Sequence, residues 1–357
     1  MTKILFYYEY LGLVGVEVIL ATRLRALMKS DYQVRAMFMQ DAGGRLLFKG
    51  MEDSIIIPAS PIQKMDALLN FQPDILVSLD TPSIVSAARK LLPNINVFYE
   101  IHTTYPQALR PLRNQKFIQQ VNHFIVPSKF QAQFVREIIN RPDIAMDIVP
   151  DPLDERYFSP LEPSIGKANQ PIIAWVGRLD NLKNWRSFIE IAARISSKRQ
   201  DVEFRLIGGL YSPMEEQNAL WIQMVKNNLL QQMRWYPSLD PEHMPAMLDE
   251  IRNSGGCVVS TSRIESFGMS ILEAMGRACP VVVPDGGSLA ELAGEQTRGL
   301  TYPLARLDEA VQKILTLLDL SLIHISEPTR LLSISYAVFC LKKKKEHKQE
   351  VNNTTKQ

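Results

Sequence analysis

What most constrains this chain is an alternation that runs twice. Short apolar stretches of strand character alternate with helical patterns, stop at a proline-rich seam, and then begin again. In the first half the strand-like runs are Ile4–Tyr8, Gln33–Met39, Ile75–Leu79, Ile95–Tyr99 and Phe124–Pro127, and the helical patterns are Val16–Lys29, Ser83–Leu92 and Lys129–Ile139. Leu20, Leu24, Leu27 and Met28 recur at helical spacing in the first helix. Arg23, Arg25 and Lys29 gather toward its C-terminal end, where cations complement the dipole. Strands separated by helices cannot close as hairpins. They join by crossovers, and the product is a parallel sheet covered on both faces.

The seam holds Pro150, Pro152, Pro160 and Pro163, and a linker is expected over residues 150–170. Beyond it the pattern restarts with strands at Ile172–Val176, Phe204–Ile207, Met233–Tyr236, Cys257–Ser260 and Pro280–Val283. Helices are expected at Trp185–Ser196, Pro213–Asn228, Met244–Asn253 and Met269–Arg277, with a further helix starting at Leu289–Ala293. The halves share a plan but no sequence repeat. A length of 357 residues suits two domains, here 1–155 and 156–319. Such sheets bind ligands at the carboxyl ends of their strands, so a cleft between the two domains is the expected site.

Residues 320–357 do not read like protein. Leu320–Arg330 resembles a translated library adapter, Ile334–Leu341 resembles its outer end, and Lys342–Lys345 is what a run of A encodes. The expectation is that this tail is not native, that it replaces the natural C-terminus, and that it should be left out of fold reasoning. It carries seven basic and three acidic residues, so without it the net charge moves from +2 to −2. Mild basicity is then no sign of a nucleic-acid partner. Cys257, Cys279 and Cys340 are isolated and lack metal-ligand spacing, which argues for a reducing compartment and against a disulfide framework or a zinc site. Met1-Thr-Lys3 runs straight into a strand, and no apolar run reaches the roughly 20 residues needed to span a bilayer. The expected location is cytoplasmic, with the inner membrane face as a peripheral alternative. The basic cluster Arg110, Arg113 and Lys116 fits a solvated loop better than contact with an acceptor or a membrane surface.

Two strand ends carry chemistry. Val176 leads into Gly177, which permits a tight turn, and Arg178 and Lys183 follow before the next helix. A planar cationic fork and a compact ammonium at a strand's carboxyl end suit a diphosphate, although a solvated basic loop explains the same spacing about as well. The second end is Ser260 through Met275. Glu265, Ser266, Phe267 and Gly268 form a polar loop, and a helix opens at Met269. Backbone N–H groups and the helix dipole make such an opening an anion site. Glu265 is placed to face a ligand, and Glu273, about one turn inside the helix, can accept hydrogen bonds from hydroxyls. Acidic residues also favour a first helical turn with no ligand present. Near the N-terminus, Gly12 and Gly15 sit where backbone approach to a ligand, or close helix–strand packing, would use them.

These residues resemble glycosyltransferase family 4, a family of GT-B architecture with two Rossmann-like parallel-sheet domains facing across a cleft. Glu265 and Glu273 stand at the spacing of its E-x7-E signature, followed by Ala274-Met275 and Pro280-Val281. Gly177-Arg178 and Lys183 match its phosphate loop. Gly286-Gly287, Glu291-Leu292 and the segment Gly299–Pro303 match family segments C-terminal to the signature. Glu100-Ile-His102 resembles its strand-end histidine, and Phe124–Ser128 its strand before the linker. The resemblance spans about Ile4 to Asp319. It implies a retaining glycosyltransferase that moves a sugar from a UDP- or GDP-type donor to a saccharide or lipid-linked acceptor. Arg178 and Lys183 would hold the donor diphosphate, Glu273 the ribose and Glu265 the sugar. Ser266, Phe267, Gly268 and Met269 would contribute to the donor pocket, and His102 would reach the sugar or its phosphate across the cleft. Transfer would need neither a protein nucleophile nor a metal or cofactor, since the cationic loop neutralises the leaving group.

The chain departs from the family in four places. Val14-Gly15 stands where the family usually carries adjacent glycines. Pro150-Asp-Pro-Leu-Asp154 stands where the family has a glycine-containing turn. Ala278 stands where it favours glycine, at a cost of about 1–2 kcal/mol if that position is left-handed. The helices that usually cross back to the N-terminal domain are replaced by the tail. The alternatives are a nucleotide-sugar epimerase or phosphorylase on the same plan, and a non-catalytic nucleotide-sugar-binding protein.

Overall fold

The computed structural model describes residues 1–13, 15–154, 158, 170–294 and 300–323. The remainder of the adapter-like tail, residues 324–357, lies outside them, as do Val14 and Gly299. The chain divides into two units between Pro152 and Leu153.

The N-terminal unit is built on seven strands: β1 (Thr2–Leu11), β2 (Tyr32–Asp41), β3 (Ile55–Ile56), β4 (Ile75–Leu79), β5 (Asn96–Glu100), β6 (His123–Val126) and β7 (Asp147–Ile148). Their order across the sheet is β3-β2-β1-β4-β5-β6-β7, and every pairing is parallel. Helices α1 (Gly15–Leu27), α2 (Pro61–Phe71), α3 (Ser83–Leu91), α4 (Gln115–Ile118) and α5 (Lys129–Ile139) supply the crossovers and cover. Apolar side chains pack on both faces. Leu20, Leu24 and Phe48 lie in one cluster, and Leu68, Ile84, Val135 and Ile139 lie in the other. Two buried faces are why the central strands read as continuous apolar runs.

The C-terminal unit repeats the plan with β8 (Ile172–Val176), β9 (Glu203–Ile207), β10 (Met233–Tyr236), β11 (Cys257–Val259), β12 (Val281–Pro284) and β13 (Thr301–Tyr302). The order is β10-β9-β8-β11-β12-β13, again parallel throughout. Its helices are α6 (Trp185–Ser196), α7 (Met214–Lys226), α8 (Met244–Asn253), α9 (Met269–Gly276), α10 (Gly287–Ala293) and α11 (Leu307–Ile323). Trp175, Trp185 and Phe188 anchor one core face, and Ile271, Leu289 and Leu292 belong to the other.

Several features depart from the sequence reading. Helix α2 was not anticipated, although its start signal is complete: the Ser60 hydroxyl accepts from the Gln63 N–H, and Pro61 takes the first position. Helix α1 ends at Leu27, short of Lys29. Arg23 is not a dipole-compensating surface cation. It is a largely buried side chain whose Nη1 donates to both carboxylate oxygens of Glu100 at 2.5 and 2.6 Å. A partner at the end of strand β5 outweighs the weak end-of-helix preference. Helix α11 continues to Ile323, past Asp319. No described helix is long and apolar enough to cross a membrane.

Candidate functional site

In the C-terminal sheet, β8 and β11 are neighbours at the centre, and the strand order runs outward from them in opposite directions. A crevice opens at such a switch point because the loops leaving the two strands diverge. Those two loops are the ones singled out by sequence, Gly177–Asn184 after β8 and Ser260–Gly268 after β11.

The two loops are stitched together at their bases. Trp175 Nε1 donates to Thr261 Oγ1 at 3.0 Å, Asn184 Nδ2 donates to the Thr261 carbonyl at 3.0 Å, and the Arg263 N–H donates to the Leu182 carbonyl at 2.8 Å. Tyr302 on β13 adds its hydroxyl to the Ser260 carbonyl at 2.8 Å. Asn184, at φ 55, ends the first loop and caps α6. Gly177 lies over the Trp175 ring, so closely that an added Cβ would come within 2.9 Å of it.

On this frame Lys183 meets Glu265, with Nζ 2.6 Å from Oε1. The Ser262 hydroxyl also donates to Glu265 Oε1, at 2.7 Å, and the Ser288 hydroxyl holds the Glu265 carbonyl at 2.7 Å. Glu273 projects from α9 into the same neighbourhood. Burial pushes its carboxyl up to about 7, against an opposing pull from the Lys183 charge. Gly268 caps α9 at φ 106 with no side-chain hydrogen bond, and a Cβ there would meet Leu289 at 2.5 Å. Only glycine fits both conditions. The first-turn N–H groups of α9, beginning with Met269, thus open beside an ammonium and two carboxylates. Phe267 is a core side chain, so its share in any ligand contact is through its backbone. Ser266 is partly exposed. Arg178 is half-exposed, with Nε 3.0 Å from Asp180 Oδ2, farther along the loop from the Lys183–Glu265 pair. Among the described residues no cluster of His, Cys, Asp or Glu is arranged to hold a metal ion.

Residues 161–331 match the family model described as glycosyl transferases group 1. That segment, just under half of the chain, resembles a glycosyltransferase group 1 domain. A D-inositol 3-phosphate glycosyltransferase of Mycobacteroides abscessus is 26% identical over 209 residues, 57% of this chain and 45% of that protein. An alpha-D-kanosaminyltransferase of Streptomyces kanamyceticus is 26% identical over 190 residues, 53% of this chain and 47% of its own. The matched stretch spans about half the length of these curated relatives. Among solved structures, Anabaena Alr3699/HepE in complex with UDP and glucose superposes with a TM-score of 0.70 at 16% identity, covering 98% of this chain and all of that one. A sucrose-phosphate synthase from Thermosynechococcus elongatus gives 0.74 at 15% identity over 99% of this chain and 100% of its own. The fold is GT-B, two Rossmann-like parallel-sheet units.

Outside the matched segment, the N-terminal unit holds its own charged cluster. His102 follows β5 and is buried, with Nε2 3.5 Å from Glu100 Oε1 and Nδ1 3.6 Å from Asp151 Oδ2. The two carboxylates hold its pKa well above the ordinary histidine range despite a large opposing effect of burial. Glu100 is drawn down to about 2 against its own burial, chiefly by Arg23. Asp80, at φ 47, accepts the His102 and Thr103 N–H groups on Oδ1 at 2.9 and 3.1 Å, and burial raises its carboxyl. The structure therefore brings Lys183, Glu265, Glu273 and Gly268 together in one unit, and places His102 in the other.

Sequence reasoning found His102 but not Arg23, Asp80 or Asp151, which surround it. Gly12 donates its N–H to Glu17 Oε1 at 2.9 Å, and a Cβ on Gly44 would lie 2.1 Å from the Gly12 carbonyl oxygen, which favours the packing explanation for Gly12. Gly15 is an exposed first residue of α1.

Proposed function

We propose that this protein is a retaining glycosyltransferase that moves a sugar from a nucleotide-diphosphate donor to a hydroxyl-bearing acceptor. The observation that carries the reading is the Lys183–Glu265 pair at the switch point, beside Glu273 and the glycine-capped start of α9. A diphosphate brings more negative charge than one carboxylate, so it would draw Lys183 from Glu265 toward itself. Arg178 would add a second cation from the loop edge, and the α9 N–H groups would cradle phosphate oxygens. Glu265, released, would face the sugar hydroxyls, and Glu273 would accept the ribose diol. The bond between the anomeric carbon and the diphosphate oxygen breaks, the acceptor oxygen bonds to that carbon, and its proton passes to the departing phosphate. For His102 the reading is a charged positioning group at the end of β5, since both ring nitrogens face carboxylates. UDP is the first donor base to try, because the Anabaena relative of the same fold was solved with UDP.

The test is a panel of UDP- and GDP-sugars scored for nucleoside-diphosphate release in the presence of saccharide acceptors. Release is expected with at least one donor, and Lys183→Ala should lower turnover by about 10²–10³-fold, the range for loss of one preorganised charge-stabilising group. Near-wild-type turnover in that variant would remove the diphosphate role. Tight binding of one donor without release would favour a non-catalytic binding protein.

A further inference from the structure

Helix α7 is fastened to the C-terminal unit by Leu220 and Met224, both buried in its core. A surface helix held this way normally turns charged and polar residues outward. The outer face of α7 instead holds Met214, Trp221, Ile222 and Val225, all exposed and spaced so that they form one stripe. Tyr211 just before the helix and Leu230 just after it are exposed too, and add apolar area at its two ends. The central ring is held in place. Trp221 meets Trp235 edge-on with 5.7 Å between centroids, and Trp235 Nε1 donates to the Gly208 carbonyl at 2.8 Å. A fixed aromatic ring in an exposed apolar stripe has the composition of an association hot spot rather than of a solvated surface.

We propose that this stripe is the contact between two copies of the chain, packed α7 against α7, antiparallel about a two-fold axis beside Trp221. Charge decides the partner. Glu215 and Lys226 are both exposed, stand about three turns apart, and flank the stripe on the same side. In an antiparallel helix pair each flank faces the same flank of the other helix. Each Glu215 therefore meets the partner's Lys226, and each Lys226 meets the partner's Glu215. The face is complementary to itself, apolar centre on apolar centre with an ion pair at each end, which is what an isologous contact requires. A parallel pair would bring neither charge to an opposite one. A membrane-binding helix borders its apolar face with several lysines or arginines. The outer face of α7 carries one charge of each sign, which suits a protein surface better. One helix pair with its flanking Tyr211 and Leu230 makes a contact of modest size, so a Kd on the order of 10 µM is expected.

The test is sedimentation velocity of the whole chain over about 1–100 µM, with far-ultraviolet dichroism as the check on folding. A monomer–dimer equilibrium is expected. Trp221→Ala, and Ile222→Lys at a side chain 63% exposed, should each weaken it about a hundredfold, because each change enters the contact twice. Glu215→Lys alone and Lys226→Glu alone should each weaken it about tenfold, since each sets like charges together at both ends. The two single variants, mixed in equal amounts, should associate with each other about as well as the wild type does with itself. The variant carrying both changes should do the same. Damage to the fold could not be undone by mixing. The proposal is overturned if the chain stays monomeric over the whole range, if Ile222→Lys leaves association unchanged, or if mixing the two charge variants restores nothing. A monomer that floats with vesicles of phosphatidylglycerol and phosphatidylethanolamine, and no longer does so as Ile222→Lys, would overturn it by giving the face to a membrane.

Discussion

Glu273 shows how one buried carboxyl can make donor binding depend on pH. In the free protein it titrates near 7, raised from the ordinary glutamate range by burial. A ribose diol donates two hydrogen bonds and therefore selects the carboxylate. Above pH 7 the group is already ionised and binding involves no proton. Below pH 7 it is protonated and must release that proton on binding. Donor affinity should therefore weaken as pH falls below 7, by up to about tenfold per unit, and the slope should vanish in Glu273→Gln. Calorimetric titration of a UDP-sugar, whose diphosphate diester does not titrate in this range, measures it, and a flat wild-type profile would show that Glu273 does not meet the diol. The carboxyl's position was legible because glutamate spacing at a helix start is local. Its raised pKa was not, because burial comes from side chains across the sheet.

At the scale of elements, the turn after α9 carries a cost written in one residue. Ala278 adopts φ 53 between α9 and β12, its N–H bonded to the Met275 carbonyl. The anticipated left-handed position is thus occupied by a residue with a Cβ. Ala278→Gly should stabilise the C-terminal unit by about 1 kcal/mol, read as a shift in denaturant midpoint at unchanged slope. No gain would mean that the glycine's extra freedom in the unfolded chain cancels the relief. Most elements of both sheets were readable because central parallel strands are apolar on both faces and stand out from amphipathic helices. Edge strands β3 and β7, two residues each, leave no such pattern. The charged groups clustered with His102 and Glu100 were equally hidden. Arg23, Asp80 and Asp151 come from α1, the end of β4 and the proline-rich seam, and only the folded sheet assembles them. The loops after β8 and β11 were readable singly, but the reason they meet is the adjacency of those two strands, a property of topology rather than of either loop.

Across the whole molecule, two sheets with separate cores imply two stabilities that answer to different groups. His102 ties the N-terminal unit to pH. Its pKa is raised on folding, so the stability it adds is complete below the ordinary histidine value and is lost as pH rises through the elevated one. His102→Gln should flatten that dependence for the N-terminal unit and leave the other unit unaffected. The sequence makes the two separable by light. All four tryptophans, Trp175, Trp185, Trp221 and Trp235, lie after the division at Pro152. Unfolding followed by tryptophan emission should therefore report the C-terminal unit and rise with a bound nucleotide sugar, while far-ultraviolet dichroism also follows the N-terminal unit and shifts with His102→Gln. Coincident shifts by both probes would mean the units unfold as one. Trp175 gives this arrangement a finer use. Its indole lies beneath Gly177 and is bonded to Thr261, so it touches the bases of the loops after β8 and β11. On the sugar-transfer reading, a ligand that drew those loops together would change the environment of this one chromophore, an optical gauge of occupancy carried by the protein itself.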